Sequence, residues 1–233
     1  MAKKGTTLCI DIGGTGLKVM VVSADGTAMT ERLRADTPRP ATVTAVLAQL
    51  KRMLREETTP YQRVSVGFPG VVVHSVVQTA PNLHESFHGY PLGKTLEKLT
   101  GRPTRVLNDA GVQGYGVIEG RGTELCVTLG TGFGFALYID GRYVPNIELA
   151  HHPFRARRTY EEYVGNAALE KVGNKRWSRR VKRVIRQLQS TFNHRVLYLG
   201  GGNARKVSAR LPQNVVPVDN IAGLLGGVRL WEL

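Results

Sequence analysis

The chain has 233 residues, enough for one large domain or two small ones whose core needs no metal or disulfide to staple it. Hydrophobic residues at 42% and charged residues at 21% exclude a disordered chain, and 11 prolines without a period exclude collagen. Lys and Arg number 32 against 18 Asp and Glu, and the formal charge of +14 favours polyanionic partners: nucleic acid, phosphate chains or an anionic membrane surface.

Residues 1–7 carry two lysines, and the apolar stretch after them is cut at once by Asp11 and a glycine pair. The start reads as neither a signal peptide nor a membrane span, so a cytoplasmic protein is expected. Residues 8–12 and 17–22 read as strands joined by Gly13-Gly14-Thr15-Gly16, and Ser23-Ala24-Asp25-Gly26 turns into a third strand near 28–34. This is a meander, not the strand–turn–helix of a Rossmann or P-loop site. Thr42 caps a helix with Val43, Val46, Leu47, Leu50 and Leu54 on its apolar side. Strands follow at 64–67 and 71–77, a short helix at 92–99, and a strand at 103–107 that runs into Asn108-Asp109.

The theme then restarts. A helix is expected over 110–118, with strands at 124–129 and 133–139 around Gly130-Thr131-Gly132. Asp140-Gly141 makes a hairpin turn into 142–145, as Asp25-Gly26 follows the first glycine turn. Two α/β lobes with a cleft between them are expected. Residues 160–192 read as helical with a break near Gly173-Asn174, and 196–199 as a strand ended by Gly200-Gly201-Gly202. A closing helix over about 220–233, with Gly223, Gly226 and Gly227, allows close backbone packing.

Cys9 and Cys126 lie in apolar runs and read as buried thiols of a reducing compartment; with no Cys-x-x-Cys pair, no zinc site is expected. The first glycine turn exposes backbone N–H groups near a carboxylate, so Gly13, Gly14 and Thr15 suit phosphate oxygens and Asp11 a hydrated divalent cation such as Mg2+. The bland alternative is an ordinary hairpin; Lys18 faces either the phosphates or, more simply, solvent. Gly130, Thr131 and Gly132 suit the same phosphates, and Gly200, Gly201 and Gly202 leave room for a flat adenine or ribose. Together the three turns point to phosphoryl transfer. Asp109 at a strand's carboxyl end can accept a proton from an attacking alcohol, with Asn108 hydrogen-bonding the same polyol, or the pair simply caps the next helix. Glu148 and His151, with Glu161 further on, suit vicinal sugar hydroxyls; a metal site from Glu148, His151 and His152 is the rival. His74, His84, His88 and His194 read as surface or local hydrogen-bonding residues.

The stretch from 151 to 186 holds 11 Lys or Arg against Glu161, Glu162 and Glu170. Arg176, Arg179, Arg180 and Arg183 read as a polyanion track, as a solvated face, or as a nucleic-acid contact.

The ordered set Ile10-Asp11-Ile12-Gly13-Gly14-Thr15-Gly16, Gly67-Phe68-Pro69-Gly70, Thr79-Ala80-Pro81-Asn82-Leu83, Asn108-Asp109-Ala110, Leu129-Gly130-Thr131-Gly132, Val144-Pro145-Asn146-Ile147-Glu148-Leu149-Ala150-His151 and Leu199-Gly200-Gly201-Gly202 resembles the ROK-family sugar kinases, in particular their bacterial polyphosphate glucokinase branch. The resemblance implies a two-lobed actin-like ATPase fold, ribonuclease H-like, with a small N-terminal lobe over 1–109, a larger lobe over 110–219, an interlobe cleft and a last helix that returns to the N-terminal lobe. It implies a cytoplasmic homodimer that phosphorylates the 6-hydroxyl of a hexose, most simply glucose, from polyphosphate or ATP with Mg2+. Asp109 would be the general base, Asn82, Asn108, Glu148, His151 and Glu161 would hold the sugar, Asp11 would place the metal, and the three glycine turns would hold the donor. The zinc motif common in the family is absent. Ala150 stands where the family has Gly, and His152 and Arg155-Ala156-Arg157-Arg158 replace an acidic or glycine-containing stretch. A non-catalytic sugar sensor of the same fold and a nucleic-acid binder are the rival functions.

Overall fold

The computed structural model describes residues 5–218 and 222–232. Two compact units emerge, one of Met1–Gly116 with Ile221–Leu233 and one of Val117–Asn220.

In the first unit, side chains alternate along Thr7–Ile12 (β1) and Gly16–Val22 (β2). Leu8, Ile10 and Ile12 share one face with Leu17, Val19 and Val21, and Cys9 shares the other with Met20 and Val22. The chain continues through Leu33–Asp36 (β3), Val43–Glu56 (α1), Arg63–Phe68 (β4), Val72–Val73 (β5), Val76–Val77 (β6), Leu92–Thr100 (α2), Thr104–Asn108 (β7) and Asp109–Tyr115 (α3). The Thr42 hydroxyl caps α1, accepting from Ala45 N at 3.3 Å, and Val46 and Leu50 join Leu92 and Leu96 of α2 over the Leu8 face. The sheet order is β3-β2-β1-β4-β7, with β1, β4 and β7 parallel.

The second unit repeats that plan. Thr123–Leu129 (β8), Phe133–Ile139 (β9) and Arg142–Val144 (β10) form an antiparallel meander. A small hairpin, Pro153–Arg155 (β11) and Arg158–Thr159 (β12), leads into Tyr160–Val164 (α4), Asn166–Val172 (α5) and Asn174–Phe192 (α6). Val196–Gly200 (β13) and Val215–Pro217 (β14) extend the sheet to β10-β9-β8-β13-β14, with β8, β13 and β14 parallel. Trp177, fully buried, anchors α6 in this core and donates from Nε1 to the Val164 carbonyl at 2.8 Å. The chain then returns to the first unit as Ala222–Leu225 (α7) and a 3-10 helix, Gly226–Trp231, where Leu224 and Val228 pack on Cys9, Met20 and Val22. The first residues of the expected closing helix lie outside the described residues.

Several elements differ from the sequence reading. The third strand begins at Leu33 because the Thr30 hydroxyl, not a ladder partner, takes the Val21 N–H at 3.0 Å. The stretch 71–77 is a hairpin, because His74 (φ 48) and Ser75 (φ 62) reverse the chain in the left-handed region. Residues 160–192 break at Gly165 as well as at Gly173. His194 is 3% exposed, a core residue and not a surface one.

Candidate functional site

In the first unit the carboxyl ends of parallel strands gather the acidic groups. Asp11, near the end of β1, pairs with Gly67 of β4, and Asn108, ending β7, pairs with Phe68. A Cβ on Gly67 would lie 3.6 Å from the Asp109 Cβ and 3.7 Å from Asp11 Oδ1, so both acidic residues flank this one gap. Lys18, read as solvent-facing, instead stands opposite Asp11 in the β1–β2 register, with Nζ 2.6 Å from Oδ2. The Asn108 side chain caps α3, accepting from Gly111 N and donating to the Gly70 carbonyl, each at 3.2 Å. Asp109 Oδ1 accepts from Ala110 N at 2.8 Å.

The first glycine turn is braced from outside. Thr37 Oγ1 donates to the Gly13 carbonyl at 2.6 Å, and Arg39 Nη2 to the Gly14 carbonyl at 2.9 Å. Gly13 N–H closes the turn onto the Gly16 carbonyl at 3.0 Å, leaving the Gly14 and Thr15 N–H groups without an acceptor among the described residues. Asn82 lies against this turn, its Cβ 3.1 Å from where a Gly14 Cβ would stand.

In the second unit, the adjacent strands β8 and β13 place the other two glycine turns side by side. Gly201 (φ 88) is required there, since a Cβ would collide with the Leu129 backbone. Asn203 Nδ2 spans to the Gly130 carbonyl at 3.2 Å and to Asn166 Oδ1 at 3.0 Å. Gly132 leaves space for the Glu161 carboxylate, whose Oε2 accepts from Phe133 N at 3.3 Å. A Cβ on Gly130 would meet nothing within 4 Å.

Glu148, His151 and Glu161 come together electrostatically. The surrounding protein raises the Glu148 carboxyl above its ordinary value, His151 opposes that, and Glu161 reinforces it. Ala150 between them is 8% exposed, its methyl taken into the core, while its carbonyl accepts from Glu161 N at 3.0 Å. On α6, Arg180 lies over the Tyr163 ring, 4.8 Å from its centroid, and Arg183 Nη1 donates to the Tyr163 hydroxyl at 2.7 Å. Arg176 and Arg179 are exposed on the same helix.

The profile of the ROK family matches residues 7–145, more than half the chain. The chain belongs to the ROK family. Polyphosphate glucokinase of Mycobacterium tuberculosis is 31% identical, with 93% of this chain and 88% of that protein aligned. The inorganic polyphosphate/ATP-glucomannokinase of Arthrobacter sp. strain KM superposes with a TM-score of 0.87 at 32% identity, over 97% of this chain and 98% of that one. The ROK family glucokinase of Streptomyces griseus, solved with glucose and AMPPNP, shares the actin-like ATPase fold at a TM-score of 0.82 and 21% identity, over 97% and 99% of the two chains. This ROK protein is a sugar kinase.

Its donor set suits magnesium. Mg2+ keeps most of its waters and needs one or two carboxylates beside substrate phosphates. Asp11 would supply one carboxylate, with Oδ2 held by Lys18 and Oδ1 turned toward Gly67. No cluster of three or more His, Cys, Asp or Glu that could cage a metal occurs among the described residues, and no helix among them is long and apolar enough to cross a membrane. Sequence reasoning missed Thr37, Arg39, Asn166 and Asn203. The only signals for them were a Thr-Pro-Arg-Pro break and an Asn after three glycines, neither of which names a partner.

Proposed function

We propose that the chain transfers the terminal phosphoryl group of polyphosphate or ATP to the 6-hydroxyl of a hexose, glucose in the first instance. The observation that carries this reading is the pair Asp11 and Asp109 at the carboxyl ends of parallel strands on either side of Gly67. Asp109 accepts the hydroxyl proton as the oxygen–phosphorus bond forms. Asn82, Glu148, His151 and Glu161 hold the other hydroxyls. Asn108 joins them, because its cap and its bond to Gly70 leave one amide hydrogen and one oxygen lone pair for a ligand. N–H groups of the turns at Gly13-Gly14-Thr15 and Gly130-Thr131-Gly132 cradle the donor's phosphates, and Gly200-Gly201-Gly202 leave room for the adenine or ribose of a nucleotide donor.

A magnesium ion held at Asp11 would offset the phosphates' negative charge. Lys18 fixes the rotamer of that carboxylate. The names of the M. tuberculosis and Arthrobacter relatives support polyphosphate among the donors. By family likeness the enzyme is a cytoplasmic homodimer.

The test is a matrix of donors against sugars with magnesium, run on the parent protein and on Asp109→Asn. The variant keeps its sugar affinity by calorimetry and loses roughly 10²- to 10⁴-fold in kcat, the usual worth of a positioned base. Near-normal turnover by Asp109→Asn would remove the base assignment. A parent protein that phosphorylates no sugar from either donor would remove the whole reading.

A further inference from the structure

The hairpin β11–β12 concentrates positive charge against its own local preferences. Arg155 and Arg158 are a directly paired cross-strand couple, and like charges at that position repel. The two-residue tip, Ala156 (φ 54) and Arg157 (φ 57), sits in the left-handed region, where Asn-Gly is the favoured choice. Three arginines at a site that costs backbone and charge energy call for a compensating partner.

The charge continues onto α6. Arg180 has its pKa lowered first by burial and then by Arg158, with Tyr163 opposing and Arg176 adding to the shift, so hairpin and helix feel one another. α6 carries Lys175, Arg176, Arg179, Arg180, Lys182, Arg183 and Arg186 and no acid. The neighbouring carboxylates bond amide N–H groups and not these guanidinium groups: Glu161 accepts from Phe133 N, Glu162 from Thr159 N at 2.8 Å, and Glu170 from Asn166 Nδ2 at 2.7 Å. No ion pair among the described residues involves an arginine of the hairpin or of α6. The surface also abuts the element that supports a glycine turn. Asn166 N, opening α5, donates to the Thr131 carbonyl at 3.2 Å, and Tyr163, near the end of the preceding α4, is gripped by Arg180 and Arg183.

We infer that the β11–β12 hairpin and α6 form one surface that anchors a long linear polyphosphate chain, and that donors of only a few phosphates do not use the hairpin. The donor assignment rests on the phosphoryl-transfer reading above. Polyphosphate is favoured over nucleic acid because bases bind by stacking on exposed aromatic rings, and here the rings are spent inside. Tyr160, Tyr163 and Trp177 are buried, and Phe154 packs on both tyrosines, with centroids at 4.5 and 5.1 Å. What remains outside is guanidinium, whose fork matches phosphate oxygens.

Two variants test this in the full chain. Arg155→Gln with Arg157→Gln and Arg158→Gln removes the hairpin charge. Ala156→Asn with Arg157→Gly removes one guanidinium while installing the residues its turn prefers, so any loss it causes is not misfolding. With long-chain polyphosphate as donor, the triple variant raises KM about tenfold, two- to threefold for each exposed guanidinium–phosphate pair. Its log KM also depends less steeply on log salt, by roughly 0.7 for each phosphate that is no longer neutralised. The double variant raises that KM two- to threefold or so on the same basis. KM for ATP and for tripolyphosphate is unchanged in both.

A parallel arm measures binding of fluorescently labelled long-chain polyphosphate by anisotropy, with single-stranded RNA as competitor at equal phosphate concentration. The parent binds the label, the triple variant binds it about tenfold more weakly, and RNA displaces it poorly. An unchanged polyphosphate KM, an equal rise in the ATP KM, or RNA that out-competes polyphosphate overturns the inference. ATP-dependent sugar phosphorylation without polyphosphate binding overturns the surface and leaves the kinase standing. Polyphosphate binding without phosphorylation of any sugar does the reverse.

Discussion

Gly130 and Gly201 follow the ends of two neighbouring parallel strands, yet their glycines answer to different demands. At Gly201 the backbone is left-handed (φ 88) and a Cβ would collide with the Leu129 backbone, so the residue serves the fold. Gly201→Ala is expected to cost about 2–4 kcal/mol from strained φ and overpacking, read as a lower urea midpoint. At Gly130 a Cβ would enter open space, so Gly130→Ala is expected to stay within about 0.5 kcal/mol of the parent. On the proposed donor site its kcat/KM with either donor falls, because the methyl stands in the turn proposed to hold the phosphates. A Gly130→Ala protein with full activity would place the donor elsewhere. The sequence set both glycines in the same class, since a glycine's reason lies in its spatial neighbours. The same limit hid Lys18: its pairing with Asp11 follows from a hairpin register that puts residues seven apart face to face. Asn108-Asp109 was more legible, because a polar pair closing an apolar strand is marked locally.

At the scale of elements, strands and the larger helices were readable wherever burial imposed a period. The alternation over β1 and β2 and the apolar positions of α1 and α6 reflect faces that must be hidden. The elements that pattern does not reveal are hairpins turned by unusual residues: β5–β6, read as one strand but reversed at His74 and Ser75 without a glycine, and β11–β12, reversed at Ala156 and Arg157. Glu124 of β8 and His194, just past α6, are two buried titratable groups with opposite histories. Glu124 is penalised by burial, but N–H donors from Glu119, Gly120 and Arg121 and the Tyr198 hydroxyl outweigh that and lower its pKa. Its stabilisation is present above the ordinary carboxylate value and is lost as pH falls through the lowered one. His194, beyond the end of α6, has neither ring nitrogen in hydrogen-bond geometry, and burial lowers its pKa with only the Leu188 carbonyl opposing. The unfolded chain takes up that proton first, so stability falls as pH drops below about 6.5 and levels off below the folded value. The urea midpoint of the parent should therefore decline from pH 7 toward 5, while His194→Phe loses that decline, leaving only the opposite, stabilising trend of the raised Glu148 carboxyl, and declines in stronger acid, where Glu124 is protonated. Equal slopes in the two proteins would show that His194 takes no part.

For the whole molecule, the consequential feature is that the first unit is discontinuous in sequence, closed by residues that come after all of the second. Those residues are integral to its core. Leu224, Val228 and Leu230 are 3–4% exposed, each worth about 1.5–3 kcal/mol of burial against a usual domain stability of about 5–15 kcal/mol. Gly227 brings the backbone so close that a Cβ would lie 2.7 Å from Cys9 Sγ. Ser65 Oγ donates to the Gly227 carbonyl at 2.6 Å and accepts from Trp231 Nε1 at 2.8 Å, while Arg63 and Arg105 lie over the indole at 5.4 and 4.8 Å. The chain's two tryptophans then fall one to each unit, Trp231 in the first and Trp177 in the second. Each can report separately in a background where the other is Phe. Leu224→Ala with Val228→Ala should remove about 4–6 kcal/mol from the first unit, the sum of two large-to-small core losses. The Trp231 signal would then change at a much lower urea concentration than in the parent. Because these last residues complete the first unit, the same variant should also lose sugar phosphorylation, since Asp11 stands on the sheet they close and Asp109 directly follows its strand β7. A Trp231 transition at the parental midpoint would mean that the C-terminal segment only decorates that sheet.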